Sequence, residues 1–195
     1  MGLEMHTAEP FTIRPCHTRD AEMVAALAAR LFTQAYAATH PEPALSEYLA
    51  SAFAPGRLAA MLADPGVRVL LAEDAAGRPI GYADLRSPDG PVPAGVPGRH
   101  PFEVRRFYVD AAWHGRGVAA ALMTACAAEA ERRGADALWL SVWQEAERPI
   151  AFYRRAGFAV VGTGTFQFGD RVDDDYIMAR PLPPGQADGS ARVRT

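Results

Sequence analysis

The segment from Arg105 to Ala120, RRFYVDAAWHGRGVAA, commits the chain to one local geometry more firmly than any other stretch. Phe107, Tyr108 and Val109 form a β-branched and aromatic run that reads as a strand. The small-residue run from Val118 reads as a helix. His114-Gly115-Arg116-Gly117-Val118-Ala119 joins the two. Glycines at a helix start let the backbone come close to a bulky group. The first helical turn also leaves amide N–H groups unpaired at the positive end of the helix dipole. That combination binds phosphate, and Arg116 adds a cation able to reach the same oxygens. A phosphorylated ligand is therefore expected here.

Gly115-Arg116-Gly117-Val118-Ala119-Ala120 also matches the G-x-G-x-x-A form of the dinucleotide fingerprint, with an acid, Asp136, about twenty residues on. Its surroundings count against that reading. The fingerprint's acid ends a second strand, whereas Asp136 precedes the strand expected over Leu138–Val142. Asp110 to His114 separate the first strand from the first glycine, where a dinucleotide site turns at once. One strand–helix–strand unit surrounds the motif, with no second half.

The same residues, taken with a second block, resemble the GNAT superfamily of acyl-CoA-dependent N-acyltransferases. The family's pyrophosphate loop has the form Q/R-x-x-G-x-G/A, and here it reads His114 to Ala119, with His114 where Gln or Arg is usual. Downstream, Val142 to Glu147 and Ile150-Ala151-Phe152-Tyr153-Arg154-Arg155-Ala156-Gly157-Phe158 look like the block that ends in F-Y-x-x-x-G-F. The resemblance runs from Thr12-Ile13-Arg14-Pro15 to Met178-Ala179-Arg180, and the Phe166-Gln167-Phe168-Gly169 segment looks most like the bacterial polyamine-acetyltransferase branch.

The resemblance implies two parallel strands that splay apart to admit the pantetheine arm of acetyl-CoA, a co-substrate. Backbone groups of Phe107, Tyr108 and Val109 would pair with its amides, and His114, Gly115, Arg116, Gly117, Val118 and Ala119 would hold its pyrophosphate. Tyr153 matches the family's usual general acid, and Glu103 stands where similar members often carry a glutamate. The family's Asn in the second block aligns with Ala146, which cannot hydrogen-bond a cofactor through its side chain. Members often pair as homodimers.

The rest of the sequence sets bounds. At 195 residues, 49% of them hydrophobic, the chain suffices for one domain with a sizeable core. A net charge of −3 without any long Lys/Arg block gives no nucleic-acid footprint. No apolar run approaches the roughly 20 residues a membrane helix needs. MGLEMHTAEP lacks the order of a signal peptide, and two cysteines without metal-ligand spacing favour a reduced, cytoplasmic setting. No metal site is expected.

Residues 1–10 read as a flexible leader, 11–182 as the catalytic domain and 183–195 as a disordered tail. Phe11–Arg14 reads as a strand, followed by a helix through Tyr36 with Thr18 as N-cap. Shorter helical pieces follow around Leu45–Phe53 and Gly56–Ala63. Val67, Val69 and Leu71 alternate, and Gly77-Arg78-Pro79 turns that strand into a hairpin with Ile80–Leu85. Ser87–Pro101 is a Pro/Gly-rich loop. Strand Phe102–Val109, helix Val118–Arg133, strand Leu138–Trp143, a helix from Pro149 and a hairpin of Phe158–Phe168 with Val172–Arg180 complete the pattern. The expected fold is a single α/β domain: a mixed, mostly antiparallel sheet, a central parallel strand–helix–strand, and helices on both faces.

Transfer to an amine requires the neutral nucleophile, so a base must take a proton. Glu103 or a water is the candidate, the competing role of Glu103 being an ion pair with Arg105 or Arg106. Tyr153 would protonate the departing thiolate, its competing role being an aromatic core residue. Cys126 shares a helix stripe with Leu122 and Met123 and reads as packing, as do the tryptophans Trp113, Trp139 and Trp143. Asp173-Asp174-Asp175 could attract a cationic amine, but three acids near a hairpin turn read first as a solvated edge. Ser87–Pro101 is expected to overhang the amine side, with Asp84, Asp89 and Glu103 favouring a small cationic amine such as a polyamine. The expected activity is acetyl transfer to a primary amine of a small molecule or peptide by direct attack in a ternary complex. The alternative is an acyl-CoA-binding sensor without turnover.

Overall fold

Seven strands form one sheet in the order β1-β2-β3-β4-β5-β7-β6. A computed structural model describes residues 10–40 and 42–183. The strands are β1 (Phe11–Pro15), β2 (Val67–Asp74), β3 (Pro79–Arg86), β4 (Pro101–Val109), β5 (Ala137–Trp143), β6 (Ala159–Phe168) and β7 (Arg171–Pro181). Every neighbouring pair is antiparallel except β4–β5. That parallel pair needs a crossover, and the helix α4 (Val118–Arg132) supplies it. The expected leader and tail lie, apart from Pro10 and Pro183, outside the described residues.

Two cores back the sheet. On one face, α4 and α5 (Glu147–Arg155) bury Leu122, Met123, Cys126 and Ile150 against Val104, Leu138 and Leu140. On the other, α1 (Ala21–Tyr36), α2 (Ala44–Ala52) and α3 (Pro55–Ala63) bury Val24, Leu31, Leu45 and Leu58 against Val69, Leu71 and Tyr82. Leu122, Met123 and Cys126 stand at helical spacing, so one apolar stripe of an alanine-rich helix faces the sheet. Cys16 and Cys126 are both buried, which pushes their thiols up to about 12 and suits packing rather than chemistry.

Several expectations need correction. Thr18 does not cap α1: residues Thr18–Asp20 form a 3₁₀ turn, and Asp20 Oδ2 accepts from the His17 N–H at 2.8 Å. Arg14 ties that turn to the sheet, bonding Asp20 at 3.0 Å and Glu73 at 2.8 Å. The helix α5 begins at Glu147, two residues before Pro149. A proline also suits a position inside the first turn, where amides lack intrahelical acceptors.

The largest correction concerns the loop over residues 87–100, none of which lines the main cleft. Asp136 holds it down: Arg99 N–H donates to Oδ2 at 2.6 Å and His100 N–H to Oδ1 at 3.0 Å. Gly95 and Gly98 both have positive φ, and an added Cβ would collide with the Val161 carbonyl and the Asp136 carboxylate respectively. The loop therefore passes beside the start of β5 and reaches β6. Asp136 is its tether and not a ribose ligand. Asp136→Ala should lower unfolding stability by about 1 kcal/mol, the net worth of hydrogen bonds whose donors face water once freed. Denaturant unfolding checks this, and the variant's melting shift on adding CoA should match the wild type's.

Candidate active site

The site begins with a break in strand pairing. The strands β4 and β5 are paired only at Pro101–Ala137, Phe102–Leu138 and Glu103–Trp139. Beyond Glu103 the two diverge, although β4 runs on to Val109 and β5 to Trp143. A bulge accounts for the change of direction. Asp84 of β3 pairs with Arg106 and Leu85 with Val104, so Arg105 is the extra residue. The bulge also resets the alternation of β4. Val104 and Phe107 both face the α4 core, while Arg106 and Tyr108 face the α1 side.

Hydrogen-bond alternation shows which backbone groups the split leaves open. Asp110 N–H donates to the Ile80 carbonyl at 2.8 Å. In an antiparallel ladder the bonded pairs alternate, so Tyr108 turns its backbone to Tyr82 while Phe107 and Val109 turn theirs away from β3. His114 Nε2 lies 2.9 Å from the Val109 carbonyl, on that open side. Of the three strand residues singled out in the sequence, Phe107 and Val109 therefore offer main-chain groups to the gap. The Tyr108 ring instead stacks on Tyr82.

The glycine loop follows directly. A 3₁₀ turn over Ala111–Trp113 fills the space between strand and first glycine, and Asp110 caps it by accepting from Ala112 N–H at 3.0 Å. Gly115 and Gly117 have φ of 77° and 84°, and an added Cβ meets nothing within 4 Å at either. The glycines are needed for backbone conformation, and the space above them is open. Ala121 N–H is the first to reach back into the turn, to Gly117 O at 3.0 Å. The amides of Val118, Ala119 and Ala120 precede it and point out of the helix start. The Arg116 guanidinium lies over the Trp113 ring at 5.2 Å, at the same end. Amides, cation and open space suit a pyrophosphate.

A cleft of about 880 Å³ occupies the split between β4 and β5. Glu103, Phe107, Val109, His114, Val142, Ala146 and Tyr153 all line it. The two catalytic candidates approach from opposite faces. Tyr153 belongs to the α4 side, its ring packed edge-on against Phe107 and Phe158. Burial raises its hydroxyl above the ordinary range, which keeps it protonated. Glu103 is half-buried on the α1 side, directly opposite Arg86 of β3. Burial pushes its carboxyl up, opposed by the nearby Arg105 charge. Ala146 is the N-cap of α5 and provides no side-chain cap, where an Asn would accept from the helix amides.

The structure also brings in residues that sequence reasoning missed or set aside. Asp173 and Asp175 are buried in the cleft, not solvated as expected, and only Asp174 of the triplet is exposed. His40, 2% exposed, sets its Nε2 3.0 Å from Asp173 Oδ2, and Arg171 bonds the other oxygen of that carboxylate. Asp175 accepts from Ser141 Oγ at 2.5 Å, and burial pushes its carboxyl up despite that bond. The period-two alternation of β7 was the available signal: Val172 and Asp174 point out while Asp173 and Asp175 point in.

A splayed parallel pair, with a glycine loop and helix start beyond it, defines an acyl-CoA-type transferase fold. The description "Acetyltransferase (GNAT) family" matches residues 26–158, most of the chain. The chain is 35% identical over 164 residues to an uncharacterized N-acetyltransferase of Mycobacterium tuberculosis, covering 84% of this chain and 98% of that one. Among solved structures it is similar to the PaiA N-acetyltransferase from Thermoplasma acidophilum in complex with coenzyme A, with a TM-score of 0.69 at 18% identity. That match covers 88% of this chain and 99% of the other. It is also similar to the ribosomal-protein-S18-alanine N-acetyltransferase from Escherichia coli, with a TM-score of 0.63 at 20% identity over 92% and 98% of the two chains. The chain belongs to the GNAT acetyltransferase family and is an N-acetyltransferase by class.

CoA should raise the melting temperature of the wild type, because a ligand that binds only the folded state stabilises it. Gly117→Asp should abolish that shift, since it puts a strained backbone and a negative charge where the pyrophosphate would lie. Differential scanning fluorimetry with CoA and with NAD checks both points, and NAD should shift neither protein.

Proposed function

We propose that this enzyme transfers the acetyl group of acetyl-CoA to a primary amine by direct attack within a ternary complex. The observation that carries the reading is the approach of Tyr153 and Glu103 from opposite faces of one split in the sheet. Bound acetyl-CoA supplies an acyl group activated as a thioester. Phe107 and Val109 would fix its pantetheine arm through main-chain bonds, and the loop from His114 to Ala119 its pyrophosphate.

An amine is protonated near neutral pH and must lose a proton before its nitrogen can attack. Glu103, raised by burial, accepts that proton directly or through water. The C–N bond forms, the C–S bond breaks, and the Tyr153 hydroxyl gives its proton to the leaving sulfur; the attacking nitrogen, now positively charged, loses its second proton through water, which restores the tyrosine and leaves a neutral amide. The acids Glu103 and Asp175 give the cleft an attraction for an incoming ammonium group, the Asp173 charge being balanced by Arg171. A polyamine-like acceptor keeps only this part of its support. Asp84 is fully buried among arginines, and Asp89 lies on a loop outside the cleft.

Tyr153→Phe should lower kcat by about 10²–10³ while CoA affinity stays near that of the wild type, as expected for a donor used mainly in the transition state. CoA release assayed with a free-thiol reagent, beside CoA titration calorimetry, separates the two quantities. A sensor without turnover would bind CoA and release none from acetyl-CoA with any amine. For Glu103 the sign follows from the direction of its shift. A base works deprotonated, so the wild-type rate should fall as pH drops through a carboxyl raised above the usual range. Glu103→Gln should lose that limb, with its largest deficit at neutral pH and a smaller one at high pH, where more amine is already neutral. The pH profile of kcat/KM for the acceptor checks this.

A further inference from the structure

Beside the cleft lies a second cavity of about 250 Å³, lined by Arg57, Arg86, Arg105 and Arg106 together with Asp64 and Met61. Arg105 and Arg106 line both spaces, so the cavity opens off the cleft on its α1 side. Four guanidinium groups share the space with two carboxylates, and neither carboxylate matches them well. Asp64 Oδ1 is taken by the Gly66 N–H at 2.7 Å. Asp84, buried beneath the cavity, offers a single oxygen to both Arg86 at 3.5 Å and Arg106 at 3.4 Å. Charge-assisted bonds close to about 2.7–2.9 Å when both partners commit to them. Arg86 Nε is buried with no hydrogen-bond partner among the described residues, as is Asp84 Oδ1. Such groups are costly to leave unpaired. Arg86 and Arg106 are largely withdrawn from solvent, and Arg57 and Arg105 stand exposed at the mouth of the cavity.

Position gives this cavity meaning. Arg86 is the direct cross-strand partner of Glu103, and Arg105 is two residues along the same strand. Neighbouring strands lie about 4.8 Å apart, so a ligand whose amine meets Glu103 would reach the arginines with a short linker. We propose that the acceptor is an amino acid in the broad sense: a short amine that also carries a carboxylate or phosphate, which the cavity binds. Its ammonium enters the acidic part of the cleft and its anionic end meets Arg57, Arg86 and Arg105, a matched pair of opposite charges. The proposal rests on the acetyl-transfer reading for the amine end alone.

The test uses the full-length enzyme with acetyl-CoA and matched acceptors: ω-amino carboxylates and aminoalkyl phosphates of increasing length, each against its uncharged amide or alcohol counterpart. The best anionic acceptor should exceed its neutral counterpart in kcat/KM by about tenfold or more, a ratio in the range of a desolvated charge pair. Arg57→Glu, an exposed helix position, should bring that ratio to one or below while leaving the neutral acceptor's kcat/KM unchanged. The double variant Arg57→Gln, Arg86→Gln should also bring the ratio to one or below, although loss of the Arg86 charge beside Glu103 changes the rate with both acceptors. Comparing the carboxylate and phosphate series tells which anion fits. Calorimetric titration of the same carboxylates and phosphates into the CoA-saturated enzyme, whose glycine loop is then occupied, reads the cavity without turnover. Binding lost in Arg57→Glu supports the cavity even if no acceptor releases CoA, an outcome that would sink the acetyl-transfer reading instead. CoA release with equal preference for neutral acceptors would overturn the anion cavity and leave that reading intact. A preference for the anion that survives Arg57→Glu and the double variant would overturn it too.

Discussion

The site depends on a stretch of β4 that its parallel neighbour β5 does not pair with. A strand inside a sheet normally spends both edges on its neighbours, and buried backbone groups are rarely left without partners. Here the Arg105 bulge turns β4 away from β5 after only three paired positions. The result is an edge in the middle of the sheet, at Phe107 and Val109, with a cleft beside it. A ligand that carries its own amides can complete that edge as a strand would. His114 already satisfies the Val109 carbonyl, which closes the far end of the edge next to the glycine loop.

The same split sorts the chemistry by face. On the α4 side the surroundings are apolar, so the Tyr153 hydroxyl holds its proton, as the proposed acid must. On the α1 side the surface is heavily charged, and its polarity changes over a short distance. Glu103 and Asp175 bring negative charge into the cleft, and Arg57, Arg86, Arg105 and Arg106 bring positive charge beside it. His40 and Arg171 both bind Asp173, which fastens the end of α1 to the β6–β7 hairpin at the cleft wall. A surface so divided selects a ligand by the spacing of its charges more than by their sum.

Much of this was legible in the sequence, for reasons that differ by residue. The strand, glycine turn and helix between Phe107 and Ala119 were readable because φ requirements and helix-end chemistry are local. Cys126 followed from helical spacing alone. The helix limits came within two residues, as hydrogen-bonded ends usually do. The loop over residues 87–100 was misjudged because its location is set by Asp136 and Val161, distant in sequence. The Asp173–Asp175 run was misread for a related reason. Acids on a strand look solvated until the opposing His40, Arg171 and Ser141 are known. Nor does any local pattern reveal the Arg105 bulge, since an extra residue in β4 shows only against the register of β3.

The most direct test of the account is amide hydrogen exchange along β4 with and without CoA. If the split edge is the pantetheine site, the amides of Phe107 and Val109 should exchange about tenfold or more slowly when CoA is bound. Tyr108, already bonded to β3, should change little, so protection should alternate along the strand. Unchanged exchange at Phe107 and Val109 under saturating CoA would contradict the account, as would equal protection of all three residues.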